Sequence, residues 1–201
     1  GYHTDRFLWR VFVMTVRYAT ITDRYSGYQA ALTPNVFHAL NESFGVTQEC
    51  FASPLNRSRF SKRCCSLFPD TDCFFGSRGA GFDYVPRGGS FECNPPCDGH
   101  TFKHTFEHIK RIFERSARVA ERTGAAKPLS IIVFMPRMGR IEQEHGVERW
   151  PFHRRTVRGG SANYLMGMQH TGTGPRGRKV GLGDTWDATN QVIIFLQNDA
   201  A

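Results

Sequence analysis

The segment TFKHTFEHIKRIFERSARVAERTG, residues 101–124, constrains the fold more than any other stretch of the chain. It sets Phe102, Phe106, Ile109, Phe113, Ala117 and Ala120 on one face and Lys, Arg, Glu and His on the other, which predicts a long amphipathic helix closed by Gly124. Two apolar runs flank it, GSFECNPP (89–96) and LSIIVFMP (129–136). Strand, helix, strand, with the strands apolar on both faces, is the pattern of a βαβ unit in a sheet covered by helices. QECFASP (48–54) and QVIIFLQND (191–199) read as further buried strands. The predicted fold is therefore α/β, with a mostly parallel sheet flanked by helices.

Two helices precede the first of these strands. DRFLWRVFVMTVRYATI brings Phe7, Val11, Met14 and Tyr18 to one face. TPNVFHALNESFG has Thr33 as N-cap, Pro34 in the first turn, Val36, Leu40 and Phe44 on one stripe, and Gly45 as terminator. Ligands of parallel sheets sit beyond the carboxyl ends of the strands, so the places to watch are Phe51 to Asn56, Asn94 to Cys97, Met135 to Arg137, and Gln197 to Asp199. Residues 137–190 differ in character. HRRTVRGG and TGTGPRGRKVGLGD are rich in Gly and Arg, so this part reads as a basic excursion of the sheet with one further strand at NYLMGMQH.

At 201 residues the chain is long enough for one domain with one core, and 40% hydrophobic residues with 17 phenylalanines exclude a disordered chain. No apolar run reaches the length that spans a bilayer, so no membrane partner is expected. The chain opens on Gly1, without a charged and then apolar leader, and reads as a domain of a longer protein. Its formal charge of +8 favours an anionic partner, nucleic acid first, because basic surfaces bind phosphates by releasing counterions. Six cysteines in a chain with a full core read as reduced thiols of a nuclear or cytosolic protein rather than as a disulfide framework.

The stretch SFECNPPCDGHTFKH offers two chemistries. Cys93, Cys97, His100 and His104 have the residue types of a zinc site, but structural sites set two ligand pairs well apart, and here the pairs nearly touch. The favoured reading leaves two thiols in apolar surroundings, two solvated histidines and no metal. A G-x-G-x-x-G match at Gly172, Gly174 and Gly177 is weak, because no strand precedes it and no helix follows. Asn94-Pro95-Pro96 is the sharper signal. Two prolines at a strand end fix φ, remove two donors and leave a rigid array of carbonyl acceptors, to which Asn94 adds an amide oxygen. Adenine presents its exocyclic amine as two donors, and asparagine is a natural partner for that edge. Held so, the amine attacks an activated methyl group without a strong base, and positioning supplies much of the rate.

ECFASPLN, LFPDTDCFFGSRGAGFDYVPRGGSFECNPP, SIIVFMP and VIIFLQND, in that order, closely resemble the methyltransferase domain of the phosphorylated-CTD-interacting factor family, the cap-specific adenosine N6-methyltransferases. The resemblance runs from about residue 11 to 199 and is densest from Cys50 to Pro96. It implies a Rossmann-like class I fold that uses S-adenosylmethionine as cofactor. The implied substrate is the first transcribed adenosine, usually 2'-O-methylated, beside the cap of messenger RNA. It further implies one methyltransferase domain over 1–201: a leading helical segment (1–46), a donor-binding and catalytic core (47–136), a basic substrate-side insertion (137–190) and a final strand (191–199). Asn94, Pro95 and Pro96 take the role of the catalytic turn. Phe51, Ala52, Ser53, Pro54 and Asn56 become the first loop against the methyl donor, with Asp70 or Asp72 as acceptors for its ribose or amino group and Phe75, Gly76 and Ser77 lining the pocket.

Cys97 departs from the family pattern, which has an aromatic residue after Asn-Pro-Pro. A lost base stack weakens binding by ~1–3 kcal/mol, unless Phe102 or Trp150 replaces it. Arg154, Arg155, Arg158, Arg176, Arg178 and Lys179 are the candidates for RNA phosphate or cap contacts. Regions of the family outside this chain, its WW module and most of its helical part, are expected to serve the RNA polymerase II C-terminal domain and part of the cap. The expected location is the nucleus, with the cytoplasm second. Two other readings stay open, a catalytically inactive RNA- or cap-binding relative and a zinc-stabilised nucleic-acid-binding module.

Overall fold

The computed structural model describes residues 2–22, 31–136, 141–165, 172–173, 179–180 and 185–200. Its central unit is the predicted one. Strand β4 (Gly89–Cys93) leads into helix α4 (Gly99–Thr123) and back to strand β5 (Leu129–Pro136), which pairs with β4 in parallel from Gly89↔Leu129 to Cys93↔Val133. Asp98 caps α4 by accepting from the Thr101 N–H at 2.8 Å, and Gly124 ends it at φ 70°. The helix buries Phe102, Phe106, Ile109, Ile112 and Phe113 against Phe91, Cys93, Ile131, Val133 and Met135. Each large apolar side chain so buried contributes about 1.5–3 kcal/mol. The expected stripe ends early: Ala117 is exposed, because the last turns of α4 run past the sheet.

The second face of the sheet is covered by α2 (Pro34–Phe44), whose Phe37 and Leu40 pack with Leu32, Val46, Ile132, Phe134 and Tyr164. Helix α1 (Tyr2–Thr22) buries only Met14 and Tyr18. Phe7, Leu8, Trp9 and Phe12 lie on its exposed surface, so the predicted stripe holds for its second half alone.

Seven strands form the main sheet, in the order β1 (Ala31–Leu32), β6 (His153–Leu165), β9 (Thr185–Gln197), β5, β4, β2 (Gln48–Glu49), β3 (Arg63–Cys64). The expected mostly parallel sheet is corrected to a mixed one. β3, β2, β4 and β5 are parallel neighbours, whereas β9 runs against both β5 and β6, and β1 against β6. QECFASP yields only two residues of regular strand, and the last strand begins at Thr185 rather than Gln191. HRRTVRGG is the first half of β6 and not a loop. Among the described residues β6 pairs with β9 and, at its far end, with the two-residue β1, and exposed strand edges tolerate charged side chains and bulges. Of NYLMGMQH, Asn163 to Leu165 finish β6 and the rest lies outside the described residues. The described residues also form helix α3 (Pro69–Asp72), helix α5 (Ile141–Glu144) and a small β7–β8 pair (Gly172–Thr173, Lys179–Val180). None of the described helices is long and apolar enough to cross a membrane.

Truncating the centre of the α4 contact, Phe106→Ala, is expected to lower the unfolding free energy by about 3–5 kcal/mol in a urea titration. Ala117→Ser, on the overhanging turn, is expected to stay within about 0.5 kcal/mol of the parent chain.

Candidate active site at the carboxyl ends of the parallel strands

The chain leaves β2 for β3 on one side and then returns to β4 on the other, so the strand order reverses between β2 and β4. Connections diverge there, at the place where open α/β sheets form a ligand crevice between the loops. Register fixes what lines it. Glu49 stands opposite Glu92, and the Cys50 N–H donates to the Glu92 carbonyl at 2.8 Å, so Phe51 and Asn94 leave the sheet side by side.

The loop after β2 is tied on itself. Asn56 Oδ1 accepts from the Ser53 N–H at 2.6 Å and the Ser53 hydroxyl at 3.0 Å, and the Arg57 N–H donates to the Ser53 carbonyl at 2.9 Å. Ser53 and Asn56 therefore shape the loop, while Phe51, Ala52 and Pro54 line it half-buried. Gly81 closes over this loop. A Cβ there would stand 2.7 Å from the Cys50 carbonyl oxygen and 2.9 Å from the Phe51 ring, so only glycine lets the turn approach.

In the second loop Asn94 and Pro96 are half-buried and Pro95 is buried. The Pro96 carbonyl accepts from the Asp98 N–H at 2.9 Å, which fixes the turn into α4. The Pro95 carbonyl has no protein donor among the described residues. Cys97 is exposed; its surroundings and the Asp98 carboxylate push the thiol up to about 11, so it stays protonated at neutral pH. Phe102, one proposed substitute for the missing aromatic, is fully buried, and Trp150, the other, is half-buried against Phe106 and Phe152. The exposed ring at this edge is Phe82, set edge-on to Phe51 at 5.2 Å and near His104 at 6.2 Å. Cys93 faces the core while His100 and His104 lie on the outer surface of α4. No group of three or more metal-ligating side chains gathers among the described residues.

Below Asn94 lies a pair that the sequence reading did not name. Glu49 and Glu92 are both buried, on the face of the sheet opposite α4. Glu49 Oε1 accepts from the Ser58 N–H at 2.9 Å, whereas Glu92 Oε1 has no partner among the described residues. Burial raises the Glu49 carboxyl to about 7, and burial together with the Glu49 charge pushes Glu92 well above the carboxylate range. The signal was a glutamate inside each of two apolar runs, QECF and FECN, since a buried carboxyl is more informative than a buried leucine.

The segment expected to supply further donor contacts is held instead by α1. Asp72 is fully buried and accepts from the Tyr18 hydroxyl at 2.5 Å; burial and this bond push the Tyr18 phenol upward. Asp70 takes Arg17 Nη1 on both oxygens at 2.7 and 2.6 Å. Phe75 meets Phe7 edge-on, and Gly76, at φ 97°, turns the chain so that Ser77 Oγ receives the Ser66 hydroxyl at 2.6 Å. These residues lie beside β3, and the two carboxylates anchor a helix rather than facing the crevice.

The basic candidates are not brought together. Arg154 binds Asp199 at 2.7 Å, at the amino end of β5. Gln197 to Asp199 lie there too, because β9 is reversed; this corrects their expected place at the ligand end. Arg155 is exposed part-way along β6. Arg158 does reach the ligand end, where Glu148 holds it at 2.7 Å and the buried Glu142 at 3.6 Å. Lys179 lies in β8, and Arg176 and Arg178 fall outside the described residues.

Fold and crevice thus define an α/β chain with a strand-end site built from an Asn-Pro-Pro turn and a self-tied loop. The family model described as "Phosphorylated CTD interacting factor 1 WW domain" matches residues 2–166, and the chain belongs to this family. It is 35% identical over 207 residues to a human protein named mRNA (2'-O-methyladenosine-N(6)-)-methyltransferase, covering 97% of this chain and 26% of that protein. A mouse protein of the same name is 36% identical over 178 residues, covering 83% of this chain and 23% of its own length. The chain therefore spans about a quarter of the curated relatives it matches.

A carboxyl raised by burial favours folding below its unfolded value, and that contribution is lost as pH rises through the folded one. Melting temperature is accordingly expected to fall between about pH 5 and about pH 8. Glu92→Gln, which removes one charge and gives Glu49 an amide donor, is expected to flatten that fall and to melt higher at the alkaline end.

Proposed function

We propose that this chain is the catalytic part of an S-adenosylmethionine-dependent RNA methyltransferase that acts on N6 of the cap-adjacent 2'-O-methyladenosine. The single observation that carries the reading is the Asn94-Pro95-Pro96 turn at the strand-order reversal, with the Pro95 carbonyl lacking a donor among the described residues. The names of the human and mouse relatives support the same substrate. Parallel β3, β2, β4 and β5, with reversed β9 beside them, support a Rossmann-like class I sheet.

The residues present fit the methyl donor in part. Phe51, Ala52 and Pro54, half-buried beside the catalytic turn, would hold it, whereas Asp70 and Asp72 are already engaged by Arg17 and Tyr18. The bound cofactor supplies an electrophilic methyl group. Asn94 Oδ1 and the Pro95 carbonyl would accept the two N6 hydrogens, which fixes the direction of the nitrogen lone pair. Orientation of this kind contributes without a base, and the Cys97 thiol, held protonated, is not one. Water takes the proton that N6 sheds after transfer. This reading places the protein with capped transcripts, in the nucleus first, and leaves polymerase contacts to regions outside the chain.

Cys97 favours a second reading, a relative that binds capped RNA without modifying it. Methyl transfer to capped RNA beginning with 2'-O-methyladenosine, read by nucleoside mass spectrometry, separates the two. Activity that drops at least about a hundredfold in Asn94→Ala, equivalent to about 3 kcal/mol, is the expected result. Cys97→Phe is expected to lower the KM for RNA about tenfold by restoring one base stack. RNA binding without transfer above the Asn94→Ala level would establish the inactive relative.

A further inference from the structure

We infer that the groove between the last turns of α4 and the amino ends of β4 and β5 is a second RNA site, which holds transcript phosphates downstream of the modified nucleotide. The inference rests on the RNA substrate proposed above. The groove has a volume of about 480 Å³ and takes cations from three separate segments: Arg87 before β4, Arg115 and Arg122 on α4, and Lys127 before β5. No carboxylate of the described residues lines it. Elsewhere Arg17, Lys110, Arg154 and Arg158 have acidic partners, but none of these four does among the described residues.

A cation at a helix carboxyl end complements the helix dipole. That accounts for Arg122, on the last turn, but not for Arg87 and Lys127, which come from other segments and face the same space. The walls are also fixed in advance. Asn198 Nδ2 donates to the Lys127 carbonyl at 2.8 Å and to Ser116 Oγ at 3.3 Å, and the Gly89 N–H donates to the Pro128 carbonyl at 2.7 Å. At Gly88 a Cβ would stand 2.8 Å from Lys127 Cβ, so the two loops are in contact. Four cations with no acidic partner among the described residues, on a rigid frame, fit a polyanion, because each phosphate held releases counterions.

The groove lies at the far end of α4 from the catalytic turn. Arg115 and Arg122 are some 24 and 35 Å beyond Gly99 at ~1.5 Å per residue. At ~3.4 Å per phosphate, roughly 7–10 stacked nucleotides cover that distance. The site therefore discriminates by RNA length: a very short capped substrate reaches the crevice and misses the groove.

The test is the double variant Arg115→Glu/Arg122→Glu, with Arg115→Lys/Arg122→Lys as the conservative control. Binding of an uncapped RNA of about 20 nucleotides is followed by fluorescence anisotropy over a salt series. Affinity is expected to fall at least about tenfold, and the slope of log K against log salt to shrink by about 1.4, or ~0.7 per lost contact. The lysine pair is expected to keep both near the parent values. For transfer, KM should rise for a capped 20-mer and stay unchanged for a capped RNA of about four nucleotides. Loss of transfer activity in the parent chain would overturn the enzymatic reading and leave anisotropy to decide the groove. Unchanged 20-mer affinity with intact short-RNA activity would overturn the groove alone. Equal losses on both lengths, or lost binding of a phosphorylated peptide with RNA binding intact, would overturn it as well.

Discussion

The crevice depends on β4 being held in parallel register between β2 and β5. That register puts Phe51 beside Asn94 and sets the start of α4 one short turn further on. Phe91 and Cys93 secure it against the apolar side of α4, and α2 packs on the other face of neighbouring β5, so the Asn94-Pro95-Pro96 turn stands on a packed core rather than on a loop of its own. Prolines add stiffness where the ladder stops. A slip of one residue would exchange the two faces of β4, burying Glu92 under α4 and turning Phe91 to the opposite face.

The same register forces two carboxyls together in a dry layer. Isolated buried charges are costly, so the pair holds protons that exposed carboxyls would release. Tyr18 and Asp72 represent the other solution, a buried acidic side chain that accepts a hydroxyl from a distant helix. Both arrangements lie close to the strand ends. Buried polar groups there restrict alternative packings of the loops at the expense of stability.

Legibility in the sequence followed the reach of each signal. The α4 unit was readable because apolar spacing, Gly124 and the flanking strands all agree locally. The Asn-Pro-Pro turn was readable because proline obeys backbone rules that hold in any fold. Strand direction is not written in a local pattern, so β9 was placed without its reversal, and Gln197 to Asp199 were assigned to the wrong end of the sheet. Arg154 to Gly160 hid a strand because bulges between His153/Arg155 and Arg158/Gly160 break the two-residue period. Asp70 and Asp72 looked available because their partners come from more than 50 residues earlier in the chain. Glu92 was visible as a misfit in an apolar run, but its pairing with Glu49 emerges only from the register.

The central claim is that the methyl donor sits where the loops after β2 and β4 diverge. Amide hydrogen exchange with and without S-adenosylhomocysteine tests that position directly. The account predicts ligand-dependent protection at Phe51 to Asn56 and at Cys97 and Asp98, with the amides of α3 little changed. Protection confined to residues 68–77, or none anywhere at saturating ligand, would contradict it.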